Sequence, residues 1–551
     1  MYFWEADAGD RGRSVKRQRV VFDPAAPTAS RISLNATTIP HLGWVRATVT
    51  LDAPATTGFF LTVHTPSSAN VTPIPPQPYP AEAPWLASAA QKWVPCAAIK
   101  GCLGGTSFFF DFSLVNSFSD AVIHAFEGGV AAPRHLTASA PISFFAPTAP
   151  SRGHLGRVSD PSAINVTWWA TEAAGGVKWG PSPNSLTNFA PASLVTSYAP
   201  SDLCGEPARG MGWQPSHFWL TATIIGLVPG AIAPVVYSFG SDALGWSAPL
   251  SFRAPPALSS SVKMLLLADN GVTEPDGATD HWDEPDASLT VARLAALAQG
   301  GSGYDYSLVL HPGDVSYATG LLAKWSTHTA RLAGLWDRVP YLVVQGNHER
   351  DAPGTGTAYD TSRDSGGECG VVTGAIFPGS GAPTILAHGV VTVIMLNSEL
   401  PVDEGSLQFA FAAAALGAVD RTVTPWVVVA FHRPLYFVDG TGTRDAHFAP
   451  LEPLMVRHGV DVVVVGHVHN ALVTCPVNNS TCAPGAPVHV CVGNAGQSLT
   501  PVANATQTPS WVAFQRSAWG YGTLEATATT MDISLFGDAD GALWHTVHFE
   551  K

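Results

Sequence analysis

Asp461-Val-Val-Val-Val-Gly-His-Val-His469 is a run of four valines that stops on two histidines. A stretch of β-branched residues with no polar alternation reads as a strand buried on both faces, as in parallel sheets. Four more runs end in the same manner. Val262–Ala268 (VKMLLLA) leads into Asp269, and Ser307–His311 (SLVLH) into Gly313-Asp314. Tyr341–Gln345 (YLVVQ) leads into Gly346-Asn347-His348-Glu349, and Trp426–Phe431 (WVVVAF) into His432. In open α/β sheets, ligands bind beyond the carboxyl ends of the strands. Five ends of one polarity, all bearing residues that can bind a metal, therefore predict a single site.

Working outward, the intervening segments read as helices, which parallel strands require as crossovers. Asp286–Gln299 has Asp286 as a cap, Val291, Leu294 and Leu297 on one face, and Gly300-Gly301 as a stop. Leu321–Trp336, Ser406–Val419 and Leu451–His458 have similar spacing. The texture changes on either side of this α/β region. Tyr521–Thr529 and Thr530–Phe536 read as closing strands, so 501–551 is expected to complete the domain begun at 262–500. Upstream, Pro141-Ile-Ser-Phe-Phe-Ala-Pro147 recurs as Pro249-Leu-Ser-Phe-Arg-Ala-Pro255, each copy followed by a Pro/Ser-rich linker. With strand-like runs such as Gly43–Leu51 and Ala163–Ala170 before them, the two copies predict β-sandwiches over 21–148 and 149–256, after an exposed tail at 1–20.

Composition narrows the function. The chain has 551 residues, and its 28 Lys+Arg against 42 Asp+Glu leave a net charge of −14, the opposite of a nucleic-acid footprint. The one basic cluster, Arg11 to Arg19, reads as part of the tail. No apolar stretch approaches the ~20 residues of a membrane span. Met1–Asp10 has no signal-peptide core, yet six Asn-x-Ser/Thr sequons (Asn35, Asn70, Asn165, Asn478, Asn479, Asn504) point to a secreted or vacuolar protein. Of seven cysteines, Cys96/Cys102 and Cys475/Cys482 lie close together in Pro-bearing loops and are expected to form disulfides.

The candidate ligands are Asp269, Asp314, Tyr317, Asn347, His432, His467 and His469. Oxygen donors are mixed with imidazoles and no cysteine is near, which excludes a Cys-based zinc or iron–sulfur site. Seven donors exceed one ion's complement. Two ions sharing a carboxylate fit better, with Asp314 as the bridge, and such pairs clamp both oxygens of a displacement at phosphorus. Tyr317 favours a trivalent ion, because a phenol must lose a proton near pKa ~10 to bind.

The same blocks closely resemble those of purple acid phosphatases: Asp269-Asn-Gly, Gly313-Asp-Val-Ser-Tyr317, Gly346-Asn-His-Glu349, Val429-Ala-Phe-His432 and Gly466-His-Val-His469. The resemblance runs over roughly 150–551 and takes in Asp202-Leu-Cys-Gly-Glu-Pro-Ala208, Asp364-Ser-Gly-Gly-Glu-Cys-Gly-Val371 and Trp519-Gly-Tyr-Gly522. It implies fibronectin III-like β-sandwiches followed by an α/β metallophosphoesterase sandwich domain. It implies Fe(III) on Asp269, Asp314, Tyr317 and His469, and a divalent ion (Fe, Zn or Mn) on Asp314, Asn347, His432 and His467. His348 matches the histidine that contacts the phosphate or leaving group. Cys204 and Cys369 lie in family-like motifs and are expected to pair, leaving Cys491 free. The implied reaction is in-line hydrolysis of a phosphate monoester by a metal-activated hydroxide. Small phosphorylated substrates are the expected partners, with no nucleic acid or membrane, and a homo-oligomer is compatible with the reading. Phosphodiester or nucleotide pyrophosphate hydrolysis is the alternative on the same site, and a non-catalytic secreted binding protein the alternative outside it. The sequence departs from the family at Ala268, at Ala471-Leu472, at Gly271 where many dinuclear phosphoesterases carry a histidine, and in the outer histidines, for which His447 is the nearby candidate.

Overall fold

Alternation is missing from the apolar runs because each strand has a core on both sides. Met264 and Leu266 enter one apolar cluster, and Leu265 and Leu267 enter another on the opposite face. The computed structural model describes residues 150–551 apart from 211, 214–216, 272–286, 300–304 and 441; before residue 150 it describes little beyond separate strands.

The five site-bearing strands are β1 (Val262–Leu266), β2 (Leu308–Pro312), β3 (Tyr341–Val344), β4 (Trp426–Ala430) and β5 (Val462–Val465). They do not share one sheet. The first three pair in parallel within a ten-stranded sheet, and the last two pair in parallel within a seven-stranded sheet. The two sheets meet face to face: Met264, Leu266, Leu308 and Leu310 pack with Val391, Val393, Val428, Val462 and Val464. Outside the first sheet lies the helix Ala287–Gln299, through Val291, Leu294 and Ala298. Outside the second lie the helices Leu407–Gly417 and Leu451–Arg457, through Ala412, Leu416, Leu454 and Met455. The result is a four-layer helix–sheet–sheet–helix sandwich. Burying each Val or Leu side chain in such a core contributes roughly 1.5–3 kcal/mol.

Helix ends follow the chain's own signals. Ser406 caps its helix by accepting from the Phe409 amide at 3.1 Å. The helix expected over Leu321–Trp336 is shorter, Ala323–Arg331, and continues as turns because Gly334 adopts a φ of 88°. Asp286 and Gly300-Gly301, read as a cap and a stop, lie outside the described residues.

The segment 149–256 is a small sandwich. Ser151–Arg157, Ile164–Ala170, Phe218–Ile224 and Leu194–Thr196 form one face; Asn188–Pro191, Gly176–Gly180, Val235–Ser241, Gly245–Trp246 and Leu250–Phe252 form the other. Trp168, Leu220, Tyr237, Phe239 and Phe252 fill the space between. Its first face is not separate from the α/β part. Gly156 pairs in parallel with Tyr341, so both belong to the ten-stranded sheet, which Gly520–Ala526, Thr530–Gly537 and Leu543–Glu550 close at the other end.

Residues 148–271 and 287–551 belong to one compact unit, and the described strands before residue 147 to another. The N-terminal unit holds antiparallel strands of two sheets, one containing Arg31–Leu34, Trp44–Thr50 and Ser107–Ser113, the other Phe59–His64 and Phe118–Glu127. Within the segment expected to be an exposed tail, Tyr2–Glu5 pairs with Lys16–Arg19. Cys96, Cys102 and the sequons at Asn35 and Asn70 lie outside the described residues. Cys475–Cys482 and Cys204–Cys369 are bridged, and Cys491 is free and buried.

Candidate metal centre

Each strand leaves its sheet through a tight turn that presents a polar side chain. Asp269, Asp314, Tyr317 and His467 all have left-handed backbones, with φ of 58°, 50°, 48° and 69°. Such conformations cost of order 1–3 kcal/mol for residues other than glycine and concentrate at functional sites. Two glycines make the turns feasible by the absence of a side chain. A Cβ on Gly346 would collide with Asp314 Oδ1, and one on Gly466 with Asp269 Oδ2.

All seven candidate ligands converge, in two groups. In the first, Tyr317 donates its hydroxyl to Asp269 Oδ1 at 2.8 Å and lies 2.8 Å from His469 Nε2. The other nitrogen of His469 is 2.6 Å from the Ser498 carbonyl, which turns Nε2 toward the site. In the second, Asn347 Oδ1 is 2.9 Å from both His432 Nε2 and His467 Nδ1. His432 Nδ1 is 3.0 Å from the Pro312 carbonyl, so its Nε2 also faces inward. Asp314 stands between the groups. Its Oδ1 accepts from the His348 amide at 3.0 Å, whereas Oδ2 is buried and accepts no hydrogen bond, with His432 Nε2 3.2 Å and His348 Nε2 3.9 Å away. Among the described residues, Asp314, His432 and His467 form a group of acidic and imidazole side chains spaced to hold a metal ion. The oxygens of Asp269, Asp314 and Asn347 and the imidazole nitrogens of His432, His467 and His469 face one another in a buried site, and a cation placed among them would satisfy them, so the donor set fits the implied metals.

The electrostatics agree. Burial raises the Tyr317 phenol well above its usual pKa, and the Asp269 and Asp314 carboxylates raise it further. Only a strong cation would make it a phenolate. Burial opposes charge on His432, but Asp314 and Asp269 outweigh it and push the imidazole up to about 10. Burial, His432 and Arg433 hold His467 well below the usual histidine range.

Beneath the ligands lies support that the motif reading left unassigned. Glu349 accepts from the amides of Asp314 and Val315 at 2.8 Å and of Gly346 at 2.9 Å, stapling two ligand loops together. Arg433 donates to Glu399 at 2.7 Å and to Asp351 at 2.9 Å, lies 3.1 Å from His467 Nε2, and covers the Tyr359 ring at 3.9 Å. The only hint of these was position, Glu349 and Arg433 being next to ligand motifs. His348 packs on the Tyr317 ring, centroids 4.4 Å apart, with its buried Nδ1 unpartnered. His447 does not reach the ligands; it packs against Tyr359 and Phe448.

A two-sheet sandwich with polar strand ends meeting over a shared carboxylate defines a metallophosphoesterase. Residues 267–471 match the family model for calcineurin-like phosphoesterases, and 486–544 that for the C-terminal part of iron/zinc purple acid phosphatase-like proteins. A nucleotide pyrophosphatase/phosphodiesterase of Hordeum vulgare is 32% identical over 55% of this chain and 88% of its own. The probable inactive purple acid phosphatase 24 of Arabidopsis thaliana is 29% identical over 81% of this chain and 76% of its own. The structure of a purple acid phosphatase from yellow lupin (Lupinus luteus) seeds superposes with a TM-score of 0.81 at 25% identity, covering 95% of this chain and 96% of that one. The chain belongs to the purple acid phosphatase family.

Proposed function

We propose that the protein is an acid phosphatase that hydrolyses phosphate monoesters in line at an Fe(III)–M(II) centre, M being iron, zinc or manganese. The observation that carries the reading is the convergence of two donor groups on the buried Asp314 carboxylate, whose Oδ2 lies 3.2 Å from His432 Nε2. Asp269, Tyr317 and His469 would hold the ferric ion, and Asn347, His432 and His467 the divalent one, with Asp314 between them. Bound, the pair supplies an activated water and offsets charge at the phosphoryl oxygens. His348, whose Nε2 lies beside the bridge, is placed to hold or give a proton to the leaving oxygen.

Several relatives are named as inactive, so activity is the decisive test. Purified protein should contain two ions per chain, at least one of them iron, and should turn over an aryl phosphate monoester best below pH 7. At most one tightly bound ion after reconstitution, or an optimum above pH 8, overturns the reading. The name of the barley relative favours a second substrate class; a diester turned over faster than the monoester would assign the site to it. Secretion or vacuolar residence is supported by the Cys204–Cys369 and Cys475–Cys482 bridges and by exposed Asn479 and Asn504 in their sequons. Peptide mapping that finds these four thiols reduced argues against it. Small phosphorylated molecules are the partners this reading calls for.

A further inference from the structure

An asparagine ligand has a problem that aspartate does not. One end of its amide is an acceptor and can bind a cation; the other is a pair of N–H donors and cannot. Something must choose. Asn347 Nδ2 donates to Asp364 Oδ2 at 3.0 Å, while Oδ1 faces His432 and His467. A carboxylate only accepts, so the arrangement works in one orientation of the amide. Reversed, Asn347 would set its carbonyl oxygen against the Asp364 carboxylate and its N–H groups against the ion.

We infer that Asp364 is the positioning residue that sets the Asn347 amide for the divalent ion. The inference rests on the dinuclear reading above.

Asp364 itself is held from both sides. Next along the chain, Ser365 is buried and donates its hydroxyl to the Asp351 carbonyl at 2.8 Å. Gly366 and Gly367 follow with φ of 57° and 88°; a side chain on either would strike the backbone of Thr319 or Gly205. Cys369 then ties the loop to Cys204. On the other side, Arg433 Nη2 lies 4.0 Å from Asp364 Oδ2, an attractive neighbour that does not compete for the bond to Asn347. The loop thus places the carboxylate beside the amide, although it is 17 residues from Asn347 along the chain.

Two replacements of nearly equal size separate the hydrogen bond from the charge. Asp364→Asn and Asp364→Leu both remove the negative charge, but only asparagine still offers an acceptor. Ion content and the affinity for added Zn(II) are measured on the whole protein loaded with iron, alongside the visible absorption of the ferric half and the melting temperature. Losing an outer partner of a metal ligand typically lowers affinity about 10–100-fold. The expected result is a loss of that size in Asp364→Leu, retention near wild type in Asp364→Asn, and the ferric absorption unchanged in both. Equal affinity in both variants, whether weakened or not, overturns the inference, because charge or nothing would then be the cause. Loss of ferric absorption or of folding in Asp364→Leu alone assigns the residue to general structure and also overturns it. A wild-type protein that takes no second ion overturns this inference and the dinuclear reading together.

Discussion

The two halves of the centre are organised by different means. In the Asp269–Tyr317–His469 half the ligands hydrogen-bond to each other, and backbone amides and carbonyls hold them from behind: the His467 amide donates to Asp269 at 2.7 Å, and the Ser498 carbonyl orients His469. In the Asn347–His432–His467 half the side chains also meet one another and the Pro312 carbonyl orients His432, but two outer partners are side chains, Asp364 on the amide and Arg433 against His467. Backbone support is largely independent of which side chain stands at the supporting position, whereas side-chain support changes with a single substitution. The first half should therefore be the more fixed in metal identity, and the second the place where divalent preference varies.

The sharpest break in that comparison is at its boundary. His348→Ala should lower turnover by about 10²–10⁴ while both ions remain, because His348 approaches the bridge without being a proposed ligand. Metal loss in that variant would show that it belongs to one of the halves. Within the first half, Tyr317→Phe should abolish the visible absorption of the oxidised protein and leave the fold intact; colour that survives would move the phenolate out of the ferric set.

Two smaller effects test the frame that holds the halves. Reducing or replacing Cys475–Cys482, which closes a short loop, should destabilise the protein by about 2–3 kcal/mol in the loop-entropy picture without altering ion content. His154 is stacked on Trp336 at 4.5 Å, and burial lowers its pKa to about 4 despite backbone carbonyls that favour charge. The unfolded chain binds a proton there below 6.5 and the folded chain does not until about 4. Its stabilising effect is therefore complete above pH 6.5 and is lost as the pH falls toward 4. At pH 5.5 the loss is about 1.4 kcal/mol. Denaturation of His154→Phe should show a shallower acid slope between those limits; an unchanged slope would mean that His154 is charged in the fold.

How much of this was legible follows from where each signal resides. Val462–Val465 and its fellows declared themselves because burial on both faces is a local property of composition. The seven candidate ligands were legible because each lies within five residues of the end of such a strand. Gly346 and Gly466 were quoted with the motifs, but their reason, the space taken by Asp314 and Asp269, is a tertiary fact. That β1–β3 and β4–β5 lie in separate sheets could not be read from runs that look alike. Asp364 stood in a quoted motif without a role, since its partner is set by how one loop folds back over another. His447, sought as an outer histidine, proved to be packed against Tyr359.

The single parallel pairing of Gly156 with Tyr341 has a mechanical consequence. Leu155 also donates to the Trp336 carbonyl at 2.9 Å, and the Tyr237 hydroxyl reaches the Asp337 carbonyl at 2.8 Å. The small sandwich is thereby woven into the sheet that carries β1 to β3. A chain cut near residue 256 would yield not two domains but two fragments, each with a raw strand edge open to the next molecule. Recombinant work on the metallophosphoesterase half should begin no later than Ser151, or expect aggregates.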